Sequence, residues 1–326
     1  MRYYLIGAAV AALIAAYVGY WFYAAGLFRD GAERWVAERR AAGWVVEHGP
    51  IAMGGFPFRL EMTVPAPHLA GNGMDWRSPG AVKVVVQPWA PRHAIAEADG
   101  RQTVTMLGHS FEIEARVLHG SLIADPQGWR EIAIEAKEPA MAFDGQAVPA
   151  VRAQLNLRKA ETDGKPTTEI ALIAEQFDLP ATVPAPLGRR VDRLGLMGVV
   201  DDRWPGGPLP EAIAAWRDAG GDVEVRRMEM IWGPLRLNGD ATLALDAQGR
   251  PLGAGTVAVQ GVKAAVTAMG KSGYLTPGQT TAAGLFALTL PDGTKIAFSG
   301  QDGRLFVFER PVANLPVILP AALVKP

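Results

Sequence analysis

Phe58-Arg59-Leu60-Glu61-Met62-Thr63-Val64 alternates apolar and polar side chains over seven residues. Successive side chains of a strand point to opposite faces, so the run predicts a β-strand with one face buried and one wet. The same period of two recurs on both sides of it. Upstream, 44–47 and 51–53 are short strand candidates. Downstream come 81–87, 94–98, 102–106, 111–118, 132–136, 151–157 and 169–174, then 191–200, 222–231, 235–245 and 255–260. A last hairpin joins 295–299 to 304–309 through Gln301-Asp302-Gly303. Asp99-Gly100, Asp144-Gly145 and Asp163-Gly164 punctuate the runs with residues that tolerate positive φ, as tight hairpins require.

Helical signals are few. One short helix is expected over 210–219, between an early proline and Gly220-Gly221. Another covers 262–269 and stops at Gly270. A third starts at Thr276-Pro277, an N-cap followed by a proline at the first helical position, and runs toward Leu288. Strands that neighbour in sequence, with so few helices between them, predict a mainly β protein: a large antiparallel, curved meander. A few short helices cannot cover the apolar face of some fifteen strands. Either two sheet halves pack on each other, or the curved sheet leaves an apolar concavity.

The N-terminus follows another rule. From Tyr3 to Phe28 no side chain is charged. As a helix this stretch is about 39 Å long at ~1.5 Å per residue, against a bilayer core of ~30 Å. Tyr3 and Tyr4 at one end and Tyr20 to Tyr23 near the other stand where interfacial aromatic belts lie. The expectation is a transmembrane anchor over 1–28 that contacts the membrane through 3–28. A helical extension follows over 29–43 and a β body over 44–326, with 180–222 as a place where that body would divide in two. A cleaved leader fits less well: its apolar core spans about 7–15 residues before a small-x-small site, and Tyr23-Ala24-Ala25 opens with a bulky residue. Arg29, Arg34, Arg39 and Arg40 outnumber Arg2, which by a strict positive-inside count favours a cytoplasmic body; large domains translocate despite such charges, so charge alone leaves the topology open.

Composition excludes several classes. The net charge is −1 from 32 basic and 33 acidic side chains, with no excess of positive charge for nucleic acid. There is no cysteine, hence no disulfide, thiolate metal site or cysteine nucleophile.

Three short motifs point to a family. They are Gly54-Gly55-Phe56-Pro57-Phe58-Arg59, then Gln87-Pro88-Trp89-Ala90-Pro91-Arg92-His93, and then Trp232-Gly233-Pro234-Leu235 followed by Leu237-Asn238-Gly239-Asp240. With the hairpin at Gln301-Asp302-Gly303-Arg304-Leu305 and Leu315-Pro316 after it, their order resembles that of domain-of-unknown-function family 2125. The family is more distantly similar to the AsmA and TamB group of envelope proteins, whose β-grooves are associated with lipid movement. The resemblance implies an inner-membrane anchor with the body in the periplasm of a Gram-negative cell, against the charge count. It supplies no catalytic residue, and the chain is too short to bridge an envelope alone.

Read physically, the motif residues are structural. Gly55 permits unusual backbone angles and Pro57 forces Phe56 into an extended conformation; Phe58 then starts a strand, with Arg59 on its other face. Arg59 is expected to pair with an acid on a neighbouring strand, the alternative being a lipid phosphate. Trp232-Gly233-Pro234 is expected to break one strand into two as a bulge or corner does.

Catalytic signatures are missing. His48, His68, His93, His109 and His119 include no HExxH pair, and His109 and His119 could share a face only if no turn intervenes. Gly270-Lys271-Ser272 lacks the earlier glycine and the preceding strand of a phosphate loop. No G-x-S-x-G or S-x-x-K occurs. Asp201-Asp202 sits beside a loop composition. The expectation is a non-enzymatic, membrane-anchored protein with no metal or cofactor site. It would bind lipid or another apolar ligand in a β groove; the alternative is a structural partner within an envelope protein complex.

Overall fold

The computed structural model describes residues 2–126, 128–201 and 207–319. Helix α1 (Arg2–Ala41) is one unbroken helix of 40 residues, so the long apolar stretch and the charged extension after it are continuous. Every residue from Tyr3 to Ala16 is exposed.

The chain then alternates between two sheets. β1 (Val45–Glu47) enters the smaller sheet; β2 (Ala52–Gly54) and β3 (Leu60–Pro65) enter the larger. β4 (His68–Gly71) and β5 (Met74–Arg77) return to the smaller, and β6 (Ala81–Gln87) and β7 (Ala90–Ala98) to the larger. β8 (Gln102–Met106) and β9 (His109–Glu114) are again in the smaller, β10 (Val117–Asp125) and β11 (Gly128–Lys137) in the larger. β12 (Ala140–Phe143) and β13 (Gln146–Ala147) finish a seven-stranded sheet. From there the larger sheet continues alone. It takes β14 (Arg152–Thr162), β15 (Lys165–Asp178) and β16 (Arg190–Asp201), then, after α2 (Leu209–Asp218), β17 (Val223–Trp232), β18 (Leu235–Leu245) and β19 (Pro251–Gln260). Helices α3 (Val262–Lys271) and α4 (Pro277–Ala287) precede β20 (Thr294–Gln301), β21 (Arg304–Val307) and β22 (Arg310–Asn314), which complete fifteen strands. All pairings are antiparallel, and the sheet runs unbroken through 180–222, since β16 pairs with both β15 and β17.

The mainly β, antiparallel class holds, with more strands than expected. The stretch 111–118, expected as one strand, is divided at 115–116 because the chain crosses there from one sheet to the other. Every such crossing is short, so the sheets are joined like two leaves along a spine. Buried Gln102 holds that spine: its amide donates to Ser78 Oγ (3.0 Å) and to the carbonyls of Asp99 (3.2 Å) and Gly100 (3.1 Å).

Hairpin chemistry follows the sequence. Asp163-Gly164 has φ +52° and +73°, the positive pair that a two-residue turn matched to strand twist needs. Thr276 caps α4 in a full capping box with Gln279. At the β18–β19 turn, the Asp246 carboxylate accepts from the Gln248 and Arg250 amides (both 2.9 Å) and from Arg250 Nε (2.7 Å). Burial raises its pKa, but the Arg250 amide and guanidinium and the Gln248 amide outweigh this and hold it below the usual value. A depressed folded-state pKa stabilises above the unfolded value of ~3.9 and is lost as pH falls through the folded one. Asp246→Ala is therefore expected to cost about 1.5–3 kcal/mol at neutral pH. In denaturation series at pH 7 and below 3 the gap to the parent should narrow with acidity; a pH-independent gap would exclude this role for the charge.

Candidate functional site: an apolar sheet face and a helix collar

Residues directly opposite in an antiparallel ladder share a face. Reading the register across the larger sheet gives one row: Met53, Met62, Val84, Ala96, Gly120, Ile134, Leu155, Leu172, Leu196, Met228, Gly239, Val257 and Ile296. No member is polar, over thirteen strands or about 58 Å at ~4.8 Å per strand. The adjacent row, on the opposite face, reads Thr63, Lys83, Glu97, His119, Glu135, Gln154, Ile173, Gly195, Glu229, Asn238, Ala258 and Lys295. The alternation visible at 58–64 thus makes one apolar surface spanning the sheet.

The smaller sheet repeats the pattern. Val46, Leu69, Trp76, Val104, Phe111 and Phe143 form its apolar row, while Glu47, His68, Arg77, Thr103 and Glu112 lie on the other face. The two apolar faces meet across a cleft. Near α1 it narrows to a cavity of 220 Å³ between Val46, Leu69 and Trp76 on one leaf and Met62, Val64, Val82 and Val84 on the other, with Trp35 and Val36 of α1 at its end. Farther along, contact is looser. Leu122 and Ile134 of the larger leaf, and Phe111 and Phe143 of the smaller, are each roughly 40% exposed. Most of the row is only half-buried. Both alternatives left open by the sequence are realised in part: two leaves face each other, and the longer one extends past its partner.

The long leaf also curls. The Leu209 amide at the start of α2 donates to Asn72 O in the β4–β5 turn (2.8 Å), and Arg217 near its end donates to Ala247 O in the β18–β19 turn (3.3 Å). α2 therefore bridges the free end of the short leaf and the far part of the long one.

The first two motifs converge on α1. Tyr17 OH donates to Pro57 O, Tyr20 OH to Pro88 O (3.0 Å), and Trp21 Nε1 to Arg59 O (3.0 Å). Phe56 lies edge-on to Trp21 (5.3 Å between centroids) and stacks on Phe22 (6.2 Å). Trp21 and Ala25 are buried with Leu60, and Met53, first member of the apolar row, packs on the same cluster. Phe58 does not start the strand as expected. It lies in a turn closed by Arg59 N donating to Gly55 O (3.0 Å), and β3 begins at Leu60. A side chain on Gly55, at φ +92°, would stand 2.6 Å from Arg59 O. Arg59 pairs with Glu61 two residues along its own chain (2.9 Å), and not across strands.

Trp232-Gly233-Pro234 is likewise not a bulge. Trp232 pairs with Leu235, so Gly233 (φ +54°) and Pro234 are the two central residues of a hairpin turn. A turn is where a missing N–H and a positive φ both fit. The Trp232 indole donates to Gly188 O (2.7 Å), pinning the β15–β16 crossover.

His109 lies in β9 and His119 in β10, on different sheets. His109 pairs with Asp144 (2.7 Å), and His68 stands between Glu47 (3.1 Å) and Asp75 (3.4 Å). Among the described residues no group of three or more His, Asp or Glu side chains is placed to hold a metal. Asp201 ends β16; Asp202 lies outside the described residues.

The profile of the bacterial family described as "Uncharacterized protein conserved in bacteria (DUF2125)" matches residues 21–316. No curated protein and no solved structure matches the chain.

Proposed function

This chain belongs to the DUF2125 family, and from that premise we propose a single-pass membrane protein of the cell envelope, non-enzymatic, whose apolar sheet face takes up acyl chains. α1 is its anchor in the inner membrane and the body stands in the periplasm. The observation that carries the reading is the thirteen-strand row without a polar member, flanked by a row that is mostly polar and by a partner leaf that covers it only in part. Soluble proteins seldom leave so much contiguous apolar surface half-covered unless something binds there. The cavity at the α1 end, 220 Å³, is smaller than the ~300–1,000 Å³ of ordinary small-molecule sites. A ligand that suits this shape is long and thin and lies along the open face.

The test uses the full chain in vesicles containing a phospholipid with a photoactivatable group on its acyl chain. Adducts should map to β10, β11 and β14 as well as to α1. In the double variant Leu122→Glu/Ile134→Glu, whose positions are exposed enough to accept charge without unfolding, the sheet adducts should fall several-fold while those on α1 persist. Adducts confined to α1 would overturn lipid uptake.

A second reading, docking of an envelope protein partner, is favoured by the far edge. All of β22 is exposed, and Phe308, Val312 and Phe286, whose ring meets Phe308 edge-on (6.1 Å), are more than half exposed. An unpaired edge strand can accept a partner's strand. Cross-linking through β22 with no lipid adduct on the sheet would select this reading.

A further inference from the structure

We infer that the loop tips at the α1 end of the body, Phe56-Pro57-Phe58 and Pro88-Trp89, are seated in the lipid interface of the same membrane that α1 crosses. The inference rests on the reading of α1 as a membrane span and is independent of whether the sheet binds lipid.

Length carries the argument. The fully exposed part of the uncharged run that follows Arg2, Tyr3 to Ala16, is fourteen residues, or about 21 Å at ~1.5 Å per residue. A bilayer core is ~30 Å thick, so the span needs about six residues more. Those six are Tyr17 to Phe22. They are the residues to which the two loops are bonded, through the Tyr17, Tyr20 and Trp21 donors. A span of sufficient length thus carries the tips to the hydrocarbon boundary.

Their chemistry suits that depth. Phe56, Phe58 and Trp89 are 50%, 74% and 65% exposed, and Phe22 and Tyr23 beside them on α1 are 63% and 66% exposed. Five exposed aromatic side chains around one level of a helix are costly in water and favourable at the headgroup level, where aromatic belts form. Backbone polar groups at that depth need partners because water is scarce. The three loop carbonyls find theirs in α1: Pro57 in Tyr17, Pro88 in Tyr20, and Arg59 in Trp21. The hydrogen bonds therefore satisfy helix and loops together. One consequence is that the apolar row begins at the bilayer, because Met53 shares the Trp21–Ala25–Leu60 cluster.

The absence of cysteine permits single-cysteine labelling of the full chain. Phe58→Cys, Trp89→Cys, Leu13→Cys and Phe143→Cys would each carry an environment-sensitive fluorophore in phosphatidylcholine nanodiscs. Quenching by iodide is then compared with quenching by a nitroxide on a shallow acyl carbon. Labels at 58 and 89 should emit to the blue of the label at 143 and resist iodide several-fold better, with strong quenching by the shallow nitroxide. If both behave like 143 while 13 stays shielded, the tips are in water and the inference falls with the span intact. If 13 is itself open to iodide, the span reading fails and this inference with it.

Discussion

Trp216→Ala is expected to lower the stability of the body by about 3–5 kcal/mol, the range for truncating a buried tryptophan. Trp216 is 5% exposed on the ten-residue helix α2. Its indole lies against Gly221 so closely that a Cβ there would come within 2.2 Å of the ring. The loss should exceed that of a peripheral helix because α2 bonds both to Asn72 O in the short leaf and to Ala247 O in the long one. Removing its anchor loosens two otherwise distant parts of the sheet system. Gly221→Ala should cost a comparable amount, since a rigid ring cannot swing away as a flexible side chain would. The double variant Gly221→Ala/Trp216→Ala should lose less than the sum of the two singles, the mark of direct contact. Denaturation of the full chain in nanodiscs, followed by far-UV circular dichroism, measures all three. A change below about 1 kcal/mol for Trp216→Ala would show that the bridge contributes little beside the sheet ladder.

Trp21→Ala should release the β body from α1. Trp21 is 4% exposed, packs with Ala25 and Leu60, and bonds Arg59 O. Truncation removes the ring and its hydrogen bond, an expected loss of about 3–5 kcal/mol. The effect should be local, because α1 contacts the fifteen-strand ladder only near its first strands. Amide exchange should accelerate in β2 and β3, where the Phe56–Phe58 tip and the cluster lie, and stay unchanged in β15 and β16. Trp21→Phe keeps most of the packing without the donor and should show a smaller effect. Equal acceleration in all four strands would mean that docking on α1 supports the whole fold; no acceleration in β2 or β3 would mean that the collar is passive.

How much of this was legible in the residues varies by element. The alternation at 58–64 announces both the strand and its apolar face, since a side-chain period of two is local to the backbone. Asp163-Gly164 and Thr276-Pro277 announce a turn and a cap for the same reason. The Phe308-Glu309 turn before β22 was not legible: both residues take positive φ, +50° and +59°, with no glycine to signal it, and 304–309 reads as one strand. The collar was equally hidden. Trp21, Ala25 and Phe28 form a helical stripe, but in a stretch where every residue is apolar a stripe has no contrast, and aromatic residues near the end of a span read as interface anchors. The Trp232-Gly233-Pro234 motif announces a break in a strand but not its kind, because a bulge and a hairpin turn use the same residues and differ only in what pairs with what.

The sequence by itself determined a long N-terminal helix with an uncharged first part, an antiparallel β body, and the sidedness of the strands whose alternation it displays, because each depends on residues within a turn or two of one another. The tertiary structure alone decided that strands go to two leaves joined at a spine and that the leaves overlap only in part. It also decided that two loop motifs 30 residues apart meet on one helix. Those outcomes depend on register and curvature summed over many strands, to which no single residue commits the chain.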